Sequence, residues 1–193
     1  MESGEICVPR IHYQQQLAEM KDKLLAMAAL AVGLEAGIPL ADACAALELL
    51  RPEDKRGQTM EWHGATMMND AYNSNPEALK SMIATLAGMP SERRILVAGE
   101  MLELGRESEA LHAACGTAAA QAGIDIVVGV RGMARAIVDA AQKGGAEAVF
   151  VDSAEAAGAW LRDNLRAGDA VLLKASRGVR LEKALDALRE PKN

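Results

Sequence analysis

Short apolar runs that stop abruptly at polar clusters, each followed by a helical segment, constrain this chain more than any other feature. Strand signals fall at Gln58–Trp62 and Ala65–Met68, either side of a His63-Gly64 turn. They recur at Arg94–Ala98, Ile126–Val130, Ala148–Val151 and Ala170–Lys174. Helix signals fall between and after them, at Pro76–Leu86, Glu107–Ala122, Met133–Lys143, Ala154–Leu165 and Leu181–Arg189. Pro76 suits a first helical position with Asn75 as the cap, because proline lacks the N–H that a helix start leaves unpaired. Alternation of this kind predicts an α/β fold with a mainly parallel sheet covered by helices on both faces.

The chain divides near residue 55. Leu17, Met20, Leu24, Met27, Ala31 and Leu34 recur at helical spacing, which predicts an amphipathic helix from about Gln14 to Glu35. Gly37-Ile38-Pro39 ends it, and Leu40 to Leu50 reads as a second helix, so residues 1–55 are expected to hold a helical hairpin. Arg51 to Gly57 is polar and reads as a linker. The apolar faces of the hairpin either fold back on the main domain or promote self-association through residues 14–50.

Composition narrows the function classes. Half of the 193 residues are apolar but only 3% are aromatic, so the core must be aliphatic. A formal charge of −6 argues against nucleic acid, which asks for a basic face. The longest apolar run, Leu24 to Leu34, is too short to span a bilayer, which takes ~20 residues, and Met1 to Arg10 lacks a signal-peptide core. Cys7, Cys44 and Cys115 are widely spaced and read as reduced thiols, which places the protein in the cytoplasm. Gly129-x-x-Gly132 is no dinucleotide fingerprint. No cysteine pair is spaced as a metal knuckle, so no metal site is expected, and no phosphate-binding Gly-x-x-x-x-Gly-Lys-Ser/Thr loop occurs.

Three of the polar clusters carry the chemistry: Asn69-Asp70-Ala71-Tyr72-Asn73-Ser74-Asn75-Pro76, Gly99-Glu100-Met101-Leu102-Glu103-Leu104-Gly105 and Lys174-Ala175-Ser176-Arg177-Gly178. Loops at the carboxyl ends of parallel strands line the crevice in which α/β proteins bind ligands, so the three are expected to meet at one edge of the sheet. Asp70 braces its turn or accepts from ribose hydroxyls. Tyr72 packs or lies beside a base, and Asn73 and Asn75 cap or face a ligand. Glu100 and Glu103 are solvated or hold an ammonium group. Lys174, Ser176 and Arg177 suit anionic groups, and Ser176 has no histidine partner that would make it a nucleophile. His112, one helical turn beyond Ser108, reads as a surface histidine.

In this order the three segments resemble the Mur ligases, above all those that add D-alanyl-D-alanine to a UDP-N-acetylmuramoyl tripeptide. The resemblance covers residues 56 to 188, with Asn69, Glu100 and Ala175 departing from the family's Asp, Asp and Gly. It implies a Rossmann-like carboxyl-terminal ligase domain over 56–193, preceded over 1–55 by the last helices of a central ATPase domain. It also implies a role in peptidoglycan synthesis, cell wall biogenesis, cell shape and cell division. The family's phosphate loop lies upstream, so the chain is expected to be the carboxyl-terminal piece of a ligase, inactive alone. In such a ligase ATP with Mg²⁺ activates the tripeptide carboxylate and the dipeptide amine attacks; this piece is expected to bind neither ATP nor Mg²⁺ tightly. Arg56, Asp70, Tyr72 and Asn73 would face the nucleotide. Asn75, Glu100, Glu103, Lys174, Ser176 and Arg177 would face the substrates. The alternative is a non-catalytic module that kept the sheet and binds a small ligand or a protein.

Overall fold

The computed structural model describes residues 26–48 and 58–189. They belong to two compact units, divided after Pro52. In the first unit residues 26–35 form α1, and α2 spans Leu40–Glu48. Gly37, in the left-handed region at φ +80°, turns the chain between them. Met27, Val32 and Leu34 are exposed on this unit. The part of the expected first helix before residue 26, the linker and Arg56 lie outside the described residues.

In the second unit, six described strands make one sheet in the order β1-β2-β6-β3-β4-β5. They are β1 (Gln58–Trp62), β2 (Ala65–Asp70), β3 (Arg93–Gly99), β4 (Ile126–Val130), β5 (Glu147–Val151) and β6 (Asp169–Lys174). β1 pairs antiparallel with β2 through the expected His63-Gly64 turn, and the other pairs are parallel. The helices are α3 (Pro76–Ala87), α4 (Ser108–Gln121), α5 (Ala134–Lys143), α6 (Ala154–Asn164) and α7 (Lys183–Arg189).

Side chains alternate across the sheet with the strand period of two. Ile95, Val97, Val171 and Leu173 join α6 and α7 on one face, through Leu161 and Leu185. Leu96, Ala98 and Leu172 join α3, α4 and α5 on the other, through Ile83, Cys115 and Ile137. Each such Leu or Ile contributes about 1.5–3 kcal/mol when fully buried. The cores are aliphatic, as so few aromatics require. Asn75 caps α3: its side chain accepts from Ala78 N–H at 2.8 Å, with Pro76 at the first helical position.

The expected boundaries shift in two places that matter. β2 runs two residues past Met68, because Asn69 and Asp70 continue the ladder opposite Leu173 and Lys174 of β6. α7 begins only at Lys183, after a 3-10 turn at Arg177–Val179 that ends on left-handed Arg180. Among the described residues no helix is long and apolar enough to cross a membrane.

Candidate functional site

The parallel strands β2, β6 and β3 are neighbours, so their carboxyl ends lie side by side. The loops that leave them are bonded to one another. Asp70 ends β2 and Lys174 ends β6 at the same register, which puts both side chains on one face of the sheet. Lys174 Nζ donates to Asp70 Oδ2 at 2.5 Å and to the Asn73 carbonyl at 2.9 Å. Lys174 is buried, and Asp70 keeps 19% of its side chain exposed.

Ser176 links the third loop to both others. Its hydroxyl accepts from Leu102 N–H at 2.9 Å and donates to the Ser74 carbonyl at 3.3 Å, and its backbone N–H donates to the Glu100 carbonyl at 3.3 Å. A close approach of β3 to the third loop allows this. A Cβ on Gly99 would stand 2.5 Å from the Ala175 Cβ, so β3 must end in glycine here. The sequence expectation that these three clusters converge therefore agrees with the bonds that join them.

Several expected ligand-facing groups are engaged within the protein. Lys174 and Ser176, expected to meet anionic substrate groups, are 3% and 5% exposed and tie the loops together instead. Asn73 Oδ1 accepts from Ser74 N–H, and Asn75 serves as the helix cap. Glu100 accepts from Met133 N–H at 3.1 Å, in the turn between β4 and α5. A Cβ on Gly132, which has φ +52°, would meet the Glu100 carboxylate where it now stands, so glycine leaves room for the Glu100–Met133 bond. The groups that face outward are fewer. Tyr72 is 38% exposed, and the Arg177 guanidinium stands 5.7 Å from its ring centroid. Arg177 also donates to Glu182 at 3.1 Å. Glu103 is exposed, with φ +66°.

His112 corrects an expectation. It is fully buried, not a surface residue: Nε2 accepts from Met101 N–H at 2.8 Å and Nδ1 lies 2.6 Å from the Ser108 carbonyl. Its Ala-rich surroundings gave no signal of this. The turn after β4 also belongs to the rim and escaped the sequence reading; Arg131 donates to the Gly178 carbonyl at 3.3 Å. Cys115 is buried, and burial pushes its thiol up to about 11, which makes it a poor nucleophile. Among the described residues no group of three or more His, Cys, Asp or Glu side chains is placed to hold a metal ion.

Comparison with known proteins gives consistent matches. Residues 55–177 match the family of the Mur ligase, glutamate ligase domain. The UDP-N-acetylmuramoyl-tripeptide–D-alanyl-D-alanine ligase of Mycobacterium tuberculosis is 34% identical over 187 residues, 84% of this chain and 36% of that protein. Its counterpart from Bacillus subtilis is 32% identical over 170 residues, 86% of this chain and 37% of that protein. Among solved structures, the MurF ligase from Thermotoga maritima in complex with ADP superposes with a TM-score of 0.62 at 28% identity, over 82% of this chain and 35% of that one. The chain spans little more than a third of the length of the curated relatives it matches.

Proposed function

Since the chain belongs to the Mur ligase family, we propose that it is the carboxyl-terminal closing domain of an ATP-dependent ligase that adds D-alanyl-D-alanine to a UDP-N-acetylmuramoyl tripeptide. The observation that carries this reading is the bonded rim. Three loops with the family's motifs are tied by Lys174 and Ser176 at the carboxyl ends of adjacent parallel strands. Ligands of open α/β sheets bind at such a crevice.

The rim's outward groups fit a nucleoside. Lys174 holds Asp70 by Oδ2, which leaves Oδ1 of a partly exposed carboxylate to accept from ribose hydroxyls. The exposed Tyr72 ring offers a flat face to a base. ATP with Mg²⁺ supplies the phosphoryl group that activates the tripeptide carboxylate. This domain's residues bind and orient. Asp70 and Tyr72 hold the nucleoside, Arg177 faces anionic groups, and Glu103 accepts from the ammonium group of the dipeptide. Closure of the rim excludes water, which would otherwise compete with the dipeptide amine.

A chimera tests this. The chain is joined to the upstream two thirds of the Bacillus subtilis relative and supplied with ATP, Mg²⁺, UDP-sugar tripeptide and D-alanyl-D-alanine. Amide product is expected at ~1 s⁻¹ or more, the ordinary range of enzymes. The chain alone is expected to form none. A folded chimera without product overturns the reading.

A further inference from the structure

His112 is the buried polar group that the ligase reading leaves unused. Its ring has two close partners of fixed role. The Met101 N–H can only donate, and it reaches Nε2 at 2.8 Å. The Ser108 carbonyl can only accept, and it lies 2.6 Å from Nδ1, with the Ser108 hydroxyl farther off at 3.4 Å. One state of the ring satisfies both: neutral, with the proton on Nδ1 and the lone pair on Nε2. A proton on Nε2 would set two donors face to face.

The bond falls at a decisive point of the β3–α4 loop. Glu100 N–H donates to the Val130 carbonyl, and Leu102 N–H donates to the Ser176 hydroxyl. Met101 N–H lies between them, and its side chain is buried. A buried backbone N–H without an acceptor is costly, so His112 supplies what the loop's own shape cannot. Two residues on, Glu103 sits in the left-handed region at φ +66°, a conformation that a non-glycine keeps only when its surroundings hold it. The Glu100 carboxylate is taken by Met133 N–H. Glu103 and Glu107 are the carboxylates of this loop that remain exposed, and Glu103 is the one two residues from the Met101 bond.

We propose that His112 is the positioning residue of this loop: its neutral Nδ1–H ring ties Met101 to the first turn of α4 and so fixes where the Glu103 carboxylate stands for the ammonium group of the incoming dipeptide. The dipeptide role rests on the ligase reading.

Two measurements test it. In the full ¹⁵N-labelled chain, the His112 ring is expected to show a protonated Nδ1, an unprotonated Nε2 and a through-bond coupling between Nε2 and the Met101 amide nitrogen. In the chimeric ligase, His112→Leu keeps the volume and removes the acceptor, whereas the Oε1 of His112→Gln can replace Nε2. His112→Leu is expected to raise the KM for D-alanyl-D-alanine about tenfold, a change typical of one lost positioning contact, with kcat and the ATP KM within about twofold. His112→Gln should recover most of the loss. A proton on Nε2 overturns the proposal, even where the leucine variant fails to fold. So does a glutamine variant no better than leucine, or a KM that rises equally for ATP. A wild-type chimera that makes no product sinks the ligase reading, and the dipeptide role with it. A productive chimera indifferent to both substitutions sinks the His112 role alone.

Discussion

Strand β6 opens with a carboxylate, Asp169, and closes with an ammonium, Lys174, and each meets an opposite charge at the same register on a neighbouring strand. At the amino end Arg93 of β3 grips Asp169 with two bonds, Nε to Oδ1 at 2.9 Å and a terminal nitrogen to Oδ2 at 2.7 Å. Asp169 also accepts from Arg166 N–H, and Arg93 also donates to the Asn164 carbonyl. Asp169 is 1% exposed, and its hydrogen bond holds the Arg93 guanidinium above its ordinary pKa. At the carboxyl end Lys174 engages a single oxygen of Asp70, and that carboxylate stays partly exposed. Both pairs brace the sheet, but the lower one is closed on itself while the upper one has acceptor capacity left over. A buried pair with every group satisfied is architecture; one with a free, reachable oxygen can also serve a ligand.

The largest expected effect is therefore at the amino end. Asp169→Ala leaves Arg93 without its carboxylate and Arg166 N–H without its acceptor. A buried pair broken on one side costs about 3–5 kcal/mol, and the partial exposure of Arg93 sets the expectation at about 3. Urea midpoints of the full chain measure this, and product formation by the chimera should persist wherever the domain is folded. A loss below about 1 kcal/mol would remove the contrast between the two ends.

The carboxyl end is expected to respond in two quantities at once. Asp70→Asn keeps the shape and removes the charge opposite buried Lys174, so stability should fall by about 1–2 kcal/mol. In the chimera the apparent ATP affinity should weaken about tenfold to a hundredfold, as one charge-assisted bond to a ribose hydroxyl would give. Lost stability with unchanged ATP kinetics would make Asp70 a second Asp169, structural only.

This difference between the ends also marks what the sequence could and could not reveal. The parallel strands were legible from their apolar runs and β1 from the His63-Gly64 turn, and the rim because three of those runs end in polar clusters. That Asp70 belongs to the strand was not legible. The ladder with β6 extends β2 through it, and that partner lies 104 residues away in sequence. The same distance hides why Lys174 is buried rather than free for an anion. Arg93 and Asp169 carried no motif at all, since only register makes them a pair. His112 read as a surface histidine because nothing near it in sequence pairs with it, and its acceptor role depends on Met101, eleven residues earlier, in a loop that folds over it.

The rim also carries an imperfection. Ser74 Oγ is buried without a hydrogen-bond partner, whereas the Ser74 carbonyl accepts from Ser176. Ser74→Ala removes an unsatisfied hydroxyl and leaves that carbonyl bond intact. The domain should gain stability, by up to about 1 kcal/mol, because an unpaired buried polar group carries its desolvation cost uncompensated. A destabilised variant, read as a lower urea midpoint, would mean that the hydroxyl has a partner in solution and that the rim is as closed as the amino end.

Another ion pair, at neither end of the strands, sets the scale for both. Lys183 of α7 donates to Glu155 of α6 at 2.9 Å, with side chains 47% and 53% exposed. The hydrogen bond from Lys183 is the main reason the Glu155 carboxyl titrates below its ordinary value. A depressed carboxylate stabilises the fold above its unfolded pKa and loses that contribution as pH falls through its folded pKa. Water screens this pair and both side chains lose freedom in forming it, so Glu155→Gln should shift stability by ~0.5 kcal/mol or less at neutral pH. Whatever difference exists should fade in acid, where wild-type Glu155 is itself neutral. Paired urea titrations of the two proteins, in neutral and acidic buffer, decide it. A neutral-pH loss as large as that of Asp70→Asn would show that closeness of charges alone governs these pairs, and that burial at the strand ends adds nothing to the two it encloses.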